Sequence, residues 1–452
     1  MVAARVLRLP ETDVEHELAA LLTEFSPRHR DFCTTLAEHA AMVSSQLGDA
    51  PPMSASRELL MGASFTAEYA VEGAALCNPS AVMHPDQKGL HAGQLRVALS
   101  LRGIGEGHLS SIGFASAVIG PGETWTFEPR PVPVVAGVAS SGHWRREHLR
   151  AVLADEGRIN GLAHSVLASL PGAFTAPNLE KVLANMHPDL LARPGAAATV
   201  GLLRELVASA YEVVFAGDVA LGQQVLLPST AEESNGMEDA RFVRFTDADG
   251  SVDYRATYTA YDGRRIAPRL LTSPDLRVFH AHRLAGPAAR NKGMALFPRL
   301  VGGRHMSLCR SDGESNCLST SDDGFVWDEP RLIQPPKASW EVLQVGNCGP
   351  PIETDRGWLV LTHGVGPMRR YAIGAILLDL DDPTRMVKRL EKPLLSGTPQ
   401  ECDGYVPNVV YSCGSVVHEG RLWLPYGIGD ARIGVAWASV EEILAAMVPA
   451  HR

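Results

Sequence analysis

The chain has 452 residues, enough for roughly two to three domains or for one large β architecture with additions. Hydrophobic residues make up 45% of it and charged residues 20%, as in an ordinary soluble globular protein, and its apolar runs are too short to span a bilayer. The formal net charge of −10, without any block of lysine or arginine, argues against a nucleic-acid partner, and residues 1–12 contain no apolar signal region.

The first predicted elements are helices. Apolar residues recur at helical spacing over residues 11–47, and Pro27 divides this stretch into two helices. A proline-containing linker at residues 51–54 follows, so the N-terminal helical segment is assigned to residues 1–55.

The pattern then changes to strands and turns from Leu59 to about Arg130. Residues 95–102 alternate between apolar and polar side chains, a glycine-containing turn follows, and residues 110–117 start the return strand. We therefore assign residues 56–141 to the first part of a β core.

A second helical region interrupts the β core at residues 142–220. Stretches with an apolar stripe are separated by prolines, and they predict helices over residues 145–154, 162–170, 179–186 and 200–214. Short strands with Gly, Pro and Asp turns fill residues 221–440. A short helix closes the chain and is assigned to residues 441–452.

A weak internal repeat runs through the second β region. Ser273-Pro-Asp275 leads to Phe279, and Ser321-Asp-Asp323 leads to Trp327, with the two starts 48 residues apart (273 to 321). A period in the forties, with several strands in each unit, is typical of propeller blades. The alternative is a coincidence between two common turns.

Glu238 and Asp239 stand side by side just ahead of a predicted strand at residues 254–262. One carboxyl raises the pKa of a close neighbour, which suits a general acid. The alternative is a solvated turn in which Arg241 is a surface partner.

Eight motifs, in order along the chain, resemble glycoside hydrolase family 130, the β-mannoside phosphorylases and β-1,2-mannosidases. They occupy residues 236–241, 257–262, 291–298, 349–352, 357–364, 371–374, 378–383 and 406–410. A weaker match covers residues 78–79 and 99–102. The resemblance implies that the all-β core is a five-bladed β-propeller, with the N-terminal helical segment and the helical insertion outside it.

The resemblance also implies residue roles. Asp239 would be the general acid, acting on the glycosidic oxygen directly or through a sugar hydroxyl. In a phosphorylase the nucleophile is inorganic phosphate, which needs cations and hydrogen-bond donors rather than a carboxylate base. Four residues stand at or near the phosphate-contacting positions of the family: Lys292, Arg310, His363 and Tyr371. Without the motifs, the alternatives are surface charges and a buried core histidine.

The sequence departs from the family pattern around Arg310, where the phosphorylases have His-Arg-Pro and this chain has Cys-Arg-Ser followed by Asp312-Gly313-Glu314. A hydrolytic member would instead need a carboxylate base to activate water, with the two carboxyls about 6.5–9.5 Å apart. Glu314 is the first candidate for that base, and Glu341 and Asp403 are lesser ones. The alternative for Asp312-Gly313 is a plain hairpin turn.

Sugar recognition requires planar polar groups and aromatic rings. The polar candidates are Asn78, Arg102, Glu238, Asp262 and Asp403, and Tyr258 is the first aromatic candidate, with Tyr261 and Tyr405 as others.

We expect no metal, because His280 and His282 have no third ligand nearby, and no cofactor apart from inorganic phosphate as a co-substrate. Seven scattered cysteines without a CxxC pair favour reduced thiols and a cytoplasmic location.

Three functions remain as hypotheses. The first is phosphorolysis of a β-mannoside with inversion, giving α-mannose 1-phosphate. The second is hydrolysis by an inverting β-1,2-mannosidase. The third is a non-catalytic propeller that binds glycans. The expected partner is a β-mannoside, with no nucleic acid and no membrane, and the helical segments would suit a homo-oligomer interface.

Overall fold

Four helices make up the N-terminal part of the computed structural model, which describes residues 2–47 and 52–450. They are α1 (Val2–Val6), α2 (Glu11–Phe25), α3 (Phe32–Leu47) and α4 (Ala55–Ala63). Pro27 lies in the short turn between α2 and α3, as predicted. Ser54 caps α4, since its hydroxyl accepts a hydrogen bond from the Arg57 backbone N–H at 3.1 Å. Pro51, the first residue of the predicted linker, lies outside the described residues.

The chain divides into two compact units. One unit is the chain up to Ala70 together with Arg130–Val135, and the other is Val71–Pro129 with the chain from Ala136 onward. A small apolar core that includes Val14, Leu60 and Met61 holds the first unit together. The prediction that strands begin at Leu59 is wrong for residues 59–63, which belong to α4. Their apolar side chains face that small core instead of a sheet.

The second unit begins with an antiparallel group of strands. This group 1 consists of β1 (Ala75–Met83), β2 (Leu95–Ile104), β3 (Ser110–Gly120) and β4 (Thr124–Phe127). The predicted strands at residues 95–102 and 110–117 are confirmed as parts of β2 and β3. Short strands and five helices follow before the next group. They are β5 (Val135–Ala136), β6 (Val138–Ser141), β7 (Trp144–Arg145), α5 (Arg146–Asp155), α6 (Gly161–Ser169), β8 (Ala173–Phe174), α7 (Ala176–Ala184), α8 (Pro188–Leu191), α9 (Ala196–Ala208), β9 (Tyr211–Val214) and β10 (Gln224–Leu226).

The helices of this insertion share one core, which includes Trp144, Leu153, Leu167 and Leu203. The last predicted helix, over residues 200–214, is wrong beyond Ala208. Residues 211–214 form β9 instead, because their Tyr-Glu-Val-Val pattern pairs in antiparallel register with a strand of the next group.

Four more antiparallel groups complete the β core. Group 2 is β11 (Gly236–Thr246), β12 (Val252–Tyr261), β13 (Ile266–Ser273) and β14 (Val278–Arg283). Group 3 is β15 (Ala295–Leu296), β16 (His305–Cys309), β17 (Asn316–Ser321) and β18 (Arg331–Gln334). Group 4 is β19 (Gln344–Asn347), β20 (Ile352–Thr354), β21 (Gly357–Gly366), β22 (Arg370–Leu378), β23 (Met386–Arg389) and β24 (Leu395–Ser396). Group 5 is β25 (Val410–Tyr411), β26 (Val416–His418), β27 (Arg421–Ile428) and β28 (Arg432–Ser439).

The chain closes with α10 (Val440–Ala446) and β29 (Val448–Pro449), so the predicted C-terminal helix ends earlier than residue 452. Residues 451–452 of that prediction lie outside the described residues. None of the helices within residues 2–47 and 52–450 is both long enough and apolar enough to cross a membrane.

The five groups contact one another in a cycle. Each neighbouring pair is joined by a hydrogen bond from a backbone N–H. The five bonds are Phe242 to the Ser80 hydroxyl (3.0 Å), Thr246 to the Pro298 carbonyl (2.9 Å), Val345 to the Glu314 carbonyl (2.8 Å), Tyr371 to the Asn408 carbonyl (3.0 Å) and Cys413 to the Pro79 carbonyl (2.8 Å). Apolar side chains fill the same interfaces, among them Trp327 between groups 2 and 3, Trp358 between groups 3 and 4, and Trp423 between groups 5 and 1.

The weak sequence repeat is confirmed as one turn used twice. Ser273 ends β13 and Ser321 ends β17, the third strand of its group in each case. Each serine hydroxyl accepts from the backbone N–H three residues on, and each following aspartate accepts from two backbone N–H groups.

The order of the elements confirms the prediction of a β core with a helical N-terminal segment and a helical insertion.

Candidate active site

A β-bulge brings the carboxylates of Glu238 and Asp239 to the same place. Glu238 pairs with Thr259 and Arg241 with Thr257, so two residues of β11 lie opposite one residue of β12. Adjacent residues of a regular strand point to opposite faces. Here Asp239 adopts a left-handed backbone (φ +56°), and both carboxylates reach Arg102. Arg102 lies 2.7 Å from Glu238 and 3.4 Å from Asp239.

Asn78 reaches Asp239 through a second bulge of the same kind. In β1, Cys77 pairs with Arg102 and Ser80 with Ser100, and Asn78 has φ +49°. Its side-chain amide donates a 2.5 Å hydrogen bond to Asp239 Oδ1. Lys292 completes the set, since its ammonium contacts Glu238 Oε2. We call Asn78, Arg102, Glu238, Asp239 and Lys292 the acid cluster.

Positive charge surrounds Asp239. Burial raises the pKa of its carboxyl, but Arg102, Arg241 and Lys292 together with the Asn78 hydrogen bond outweigh burial and lower that pKa. The expectation of a raised Asp239 pKa is wrong, because these groups together outweigh burial. Arg102 and Lys292 contact the Glu238 carboxylate and offset its charge.

A second set of residues lies around Arg310. His363 Nδ1 is 3.1 Å from the Asn347 carbonyl, which only accepts, so Nδ1 carries the proton and Nε2 accepts from Arg310 at 3.2 Å. Burial, and next the charge of Arg310, lower the pKa of His363 well below its ordinary value. The neutral ring therefore orients Arg310 and keeps no N–H free for a phosphate.

Two tyrosines stand beside His363. Its ring centroid is 6.0 Å from that of Tyr371 and 4.8 Å from that of Tyr411. We call Arg310, His363, Tyr371 and Tyr411 the Arg310 cluster. Arg241 links it to the acid cluster, because its guanidinium donates to the Tyr411 hydroxyl at 2.7 Å and to the Asp239 carbonyl at 2.8 Å.

The remaining predicted carboxylates make other contacts. Glu314 is exposed in the turn between β16 and β17, where Asp312 accepts from the Glu314 and Ser315 backbone N–H groups, so this stretch is a hairpin turn. Glu341 is buried, and its carboxylate forms an ion pair with Arg389 at 2.9 Å, which gives it a structural role. Asp262 accepts from two backbone N–H groups in the turn after β12. Asp403 is exposed and accepts from the Gly404 N–H.

The structure separates the three tyrosines proposed for stacking. Tyr258 is 2% exposed and donates a 2.5 Å hydrogen bond to the buried Glu233, so it supports the protein interior and has no open face for a sugar. The Tyr261 ring lies 5.9 Å from the Lys292 ammonium, beside the acid cluster. The exposed Tyr405 hydroxyl is 2.8 Å from His108 Nδ1.

Sequence reasoning missed Asp430, which lies in the turn after β27. One of its carboxylate oxygens is buried and has no hydrogen-bond partner within residues 2–47 and 52–450. Burial, and next the negative charge of Asp239, raise the pKa of Asp430 to about 6. Its sequence context, Gly-Ile-Gly-Asp, is that of an ordinary hairpin turn and holds no signal for a site.

Left-handed backbone conformations are frequent at this site. Besides Asn78 and Asp239, positive φ angles occur at Asn291 (+63°), Asn408 (+66°) and Asp430 (+49°). Asn and Asp tolerate this conformation better than other residues with a Cβ, and such strained positions often cluster at functional sites.

Across the described ranges, no group of three or more His, Cys, Asp or Glu side chains is placed to hold a metal ion.

Comparison with known proteins gives a consistent set of relatives. The model of glycoside hydrolase family 130, described as beta-1,4-mannooligosaccharide phosphorylase, matches residues 219–448. A 1,2-beta-oligomannan phosphorylase from Thermoanaerobacter sp. (strain X514) is 34% identical over 232 residues, covering 49% of this chain and 75% of the relative. A beta-1,2-mannobiose phosphorylase from the same organism is 33% identical over 225 residues, which are 48% of this chain and 72% of the relative.

Solved structures are also similar. The beta-1,2-mannobiose phosphorylase from Listeria innocua, in complex with beta-1,2-mannobiose, superposes with a TM-score of 0.46 at 19% identity. The superposition covers 82% of this chain and 99% of that one.

Proposed function

Because this chain belongs to glycoside hydrolase family 130, we propose that it cleaves β-mannosides by phosphorolysis with inversion and releases α-mannose 1-phosphate. The observation that carries the proposal is the link between two unlike clusters. A buried carboxyl stands in the acid cluster, a cation stands in the Arg310 cluster, and Arg241 hydrogen-bonds to groups in both. Relatives named as phosphorylases of β-1,2-mannosides support this substrate class.

In the proposed reaction, Asp239 gives its proton to the glycosidic oxygen, directly or through a sugar hydroxyl, as the bond to the anomeric carbon breaks. A phosphate oxygen forms the new bond from the opposite face, which converts the β-configuration to α. Asn78 and Arg102 hold the Asp239 carboxyl in place for this transfer.

Inorganic phosphate is the co-substrate in this proposal, and the chain supplies cations to hold it. Arg310, oriented by His363, offers a planar guanidinium, Lys292 a point charge and Tyr371 a hydroxyl. Bound phosphate would offset the positive charge that lowers the pKa of Asp239. The acid would then hold its proton best when both substrates are present.

We also propose that the five strand groups are the blades of a five-bladed β-propeller, with their cyclic contacts as support. Reduced thiols and the need for inorganic phosphate favour a cytoplasmic location. The helical segments are the proposed surface for a homo-oligomer.

The test is turnover of β-1,2-mannobiose with and without inorganic phosphate, following mannose 1-phosphate and free mannose separately. We expect mannose 1-phosphate to form only with phosphate, and its anomeric configuration to be α by NMR. Free mannose formed at a rate that does not depend on phosphate would identify the enzyme as a hydrolase. Glu314 would then again be the candidate for the base. Binding without any turnover would favour the glycan-binding alternative.

The first predicted variant is Asp239→Asn. The asparagine amide keeps the shape of the carboxyl, and its oxygen accepts a weaker hydrogen bond from Asn78. It has no acidic proton to give, so kcat should fall by roughly 10²–10⁴-fold. The far-ultraviolet circular dichroism should stay unchanged. Asp403→Asn, at an exposed carboxyl, is the matched control and should keep its activity. Full activity of Asp239→Asn would refute the assignment of the acid.

A further inference from the structure

A cavity of about 370 Å³ opens beside the Arg310 cluster. Its walls come from the ends of β21 and β22, from β24 and from the segment ahead of β25, and they include Trp340, Arg370, Tyr371, Ser396 and Asn408. This volume falls at the lower end of the range of about 300–1,000 Å³ found for ligand pockets. Nothing in the proposed phosphorolysis uses this cavity apart from Tyr371.

Trp340 forms a fixed wall of the cavity. A Cβ added at Gly364 would lie 2.5 Å from its ring, and one added at Gly374 would lie 2.6 Å from it. The two glycines, on the paired strands β21 and β22, therefore make a flat surface on which the indole rests. The indole N–H donates to the Glu391 carbonyl at 3.3 Å, which fixes the ring orientation. The ring remains partly exposed and lines the cavity.

The polar groups around this ring suit an uncharged or anionic polyol. Asn408 and Ser396 offer hydrogen bonds, Arg370 offers a cation, and no carboxylate occurs among the described lining residues. A pyranose has an apolar C–H face that covers an indole, while its hydroxyls reach polar groups at the edge. An aromatic ring with a polar rim is therefore matched to a sugar ring.

We propose that the Trp340 cavity is a second pyranose-binding site, separate from the reaction centre. This inference rests on the proposed function for its choice of mannose. Inversion places the leaving sugar and the phosphate on opposite faces of the mannosyl ring. A cavity beside Tyr371, which we assign to the phosphate side, does not lie on the path of the leaving sugar. It takes either a β-mannoside bound apart from its cleavage site or free α-mannose 1-phosphate.

The experiment counts binding sites by calorimetric titration of the Asp239→Asn protein, with β-1,2-mannobiose in one arm and α-mannose 1-phosphate in the other. We expect two sites per chain in at least one arm, which identifies the source of the sugar ring. Adding Trp340→Ala should weaken the second site by roughly tenfold or more and leave the first in place. Adding Ser396→Trp, which fills the cavity and leaves Trp340 in place, should abolish the second site.

Trp437→Ala is the matched control, because that tryptophan is 43% exposed on β28 and does not line the cavity. Two sites in the control and one in the cavity variants would establish the inference. The inference would be overturned by a single site in every protein, or by two sites whose affinities neither cavity substitution changes.

Turnover of the wild-type protein separates this inference from the proposed function. Phosphate-dependent turnover with a single binding site leaves the phosphorylase standing and refutes the second site. Binding that depends on Trp340, without any turnover by the wild-type protein, supports the second site and refutes the phosphorylase.

Discussion

Asp239 is a general acid candidate whose surroundings favour its ionised form. One of the cations that lower its pKa, Lys292, is also one of the groups that would attract phosphate. Phosphate binding and protonation of Asp239 are therefore coupled, because negative charge brought to Lys292 makes the proton on Asp239 more stable. This coupling predicts that the pH dependence of turnover responds to single cations in the site.

Lys292→Gln tests the coupling. Removing this cation raises the pKa of Asp239, so a larger fraction of the carboxyl is protonated at any given pH above that pKa. The alkaline limb of the kcat profile should move to higher pH, while the KM for phosphate rises roughly tenfold or more because a charged donor is lost. Both effects are measured from initial rates across pH and phosphate concentration.

Lys388→Gln, on β23, serves as the control and should change neither quantity. A rise in the KM for phosphate without any movement of the alkaline limb would show that Lys292 binds phosphate but does not set the pKa of Asp239.

Asp430 should lower the stability of the protein at neutral pH. Its folded pKa, about 6, is above the ordinary value of 3.8, so the unfolded chain releases this proton more readily. Stability is therefore lost as pH rises from about 4 through 6. Asp430→Asn should melt at a higher temperature than the wild type at pH 7.5 and at the same temperature near pH 3.5.

Asp262→Asn is a control of opposite sign. Hydrogen bonds from the Arg265 and Arg264 backbone lower the pKa of Asp262, so its substitution should lower the melting temperature at pH 7.5. An equal decrease in both variants would contradict the position described for Asp430.

At the scale of elements, the two bulges decide where the site forms. The sequence identified Glu238, Asp239 and Asn78 from their motifs, but a regular strand would send neighbouring carboxylates to opposite faces. Only the register shifts in β1 and β11 bring them together, and a shift depends on partner strands distant in sequence. Asp430 was missed for the same reason, since its environment comes from other groups. The wrong helix assignment at residues 211–214 likewise ignored the strand that pairs with them.

Tyr258 belongs to a buried polar cluster that holds the segment ahead of β11. Glu233 accepts from Tyr258, from Tyr211 at 3.0 Å and from the Ser229 N–H at 2.9 Å, and Arg269 pairs with it at 3.4 Å. A buried carboxylate needs every one of these partners. The cluster therefore fixes the segment that leads into β11, and the buried Tyr258 has no open face for a sugar.

Tyr258→Phe should lower the free energy of unfolding by about 1–3 kcal/mol, because Glu233 loses a donor that water cannot replace. The KM for the mannoside should stay unchanged. Urea unfolding and initial rates measure the two quantities. Tyr405→Phe, at an exposed hydroxyl, should change stability by no more than about 0.5 kcal/mol. A raised KM with unchanged stability in Tyr258→Phe would restore this tyrosine as a sugar contact.

At the scale of the whole chain, the β core depends on the packing of group 5, the last group in the chain, against group 1, the first. Local patterns in the sequence predicted the short strands, the turn repeat and the positions of the helices. They did not predict the order of contacts between groups, because it is set by side chains such as Trp423 and Val97 that lie far apart in the chain. For that arrangement the family resemblance predicts five blades, which stays a proposal.

Trp423→Ala should therefore cost about 3–5 kcal/mol of unfolding free energy, since it leaves a cavity where the last group packs on the first. Trp437→Ala, at the exposed tryptophan of β28, should cost at most about 1 kcal/mol. Guanidinium unfolding followed by fluorescence and by circular dichroism measures both. Equal costs would mean that the contact between the two groups contributes little to stability.

The left-handed residues of the site bear on how it should be mutated. At Asn78, Asp239, Asn291, Asn408 and Asp430, an alanine would add a backbone penalty of about 1–2 kcal/mol to the loss of the side chain. An alanine scan would thus overstate the importance of these five positions, and a saturation library would return mostly Asn, Asp and Gly there. Exchanges between Asn and Asp keep the backbone and change only the charge, so they are the informative substitutions.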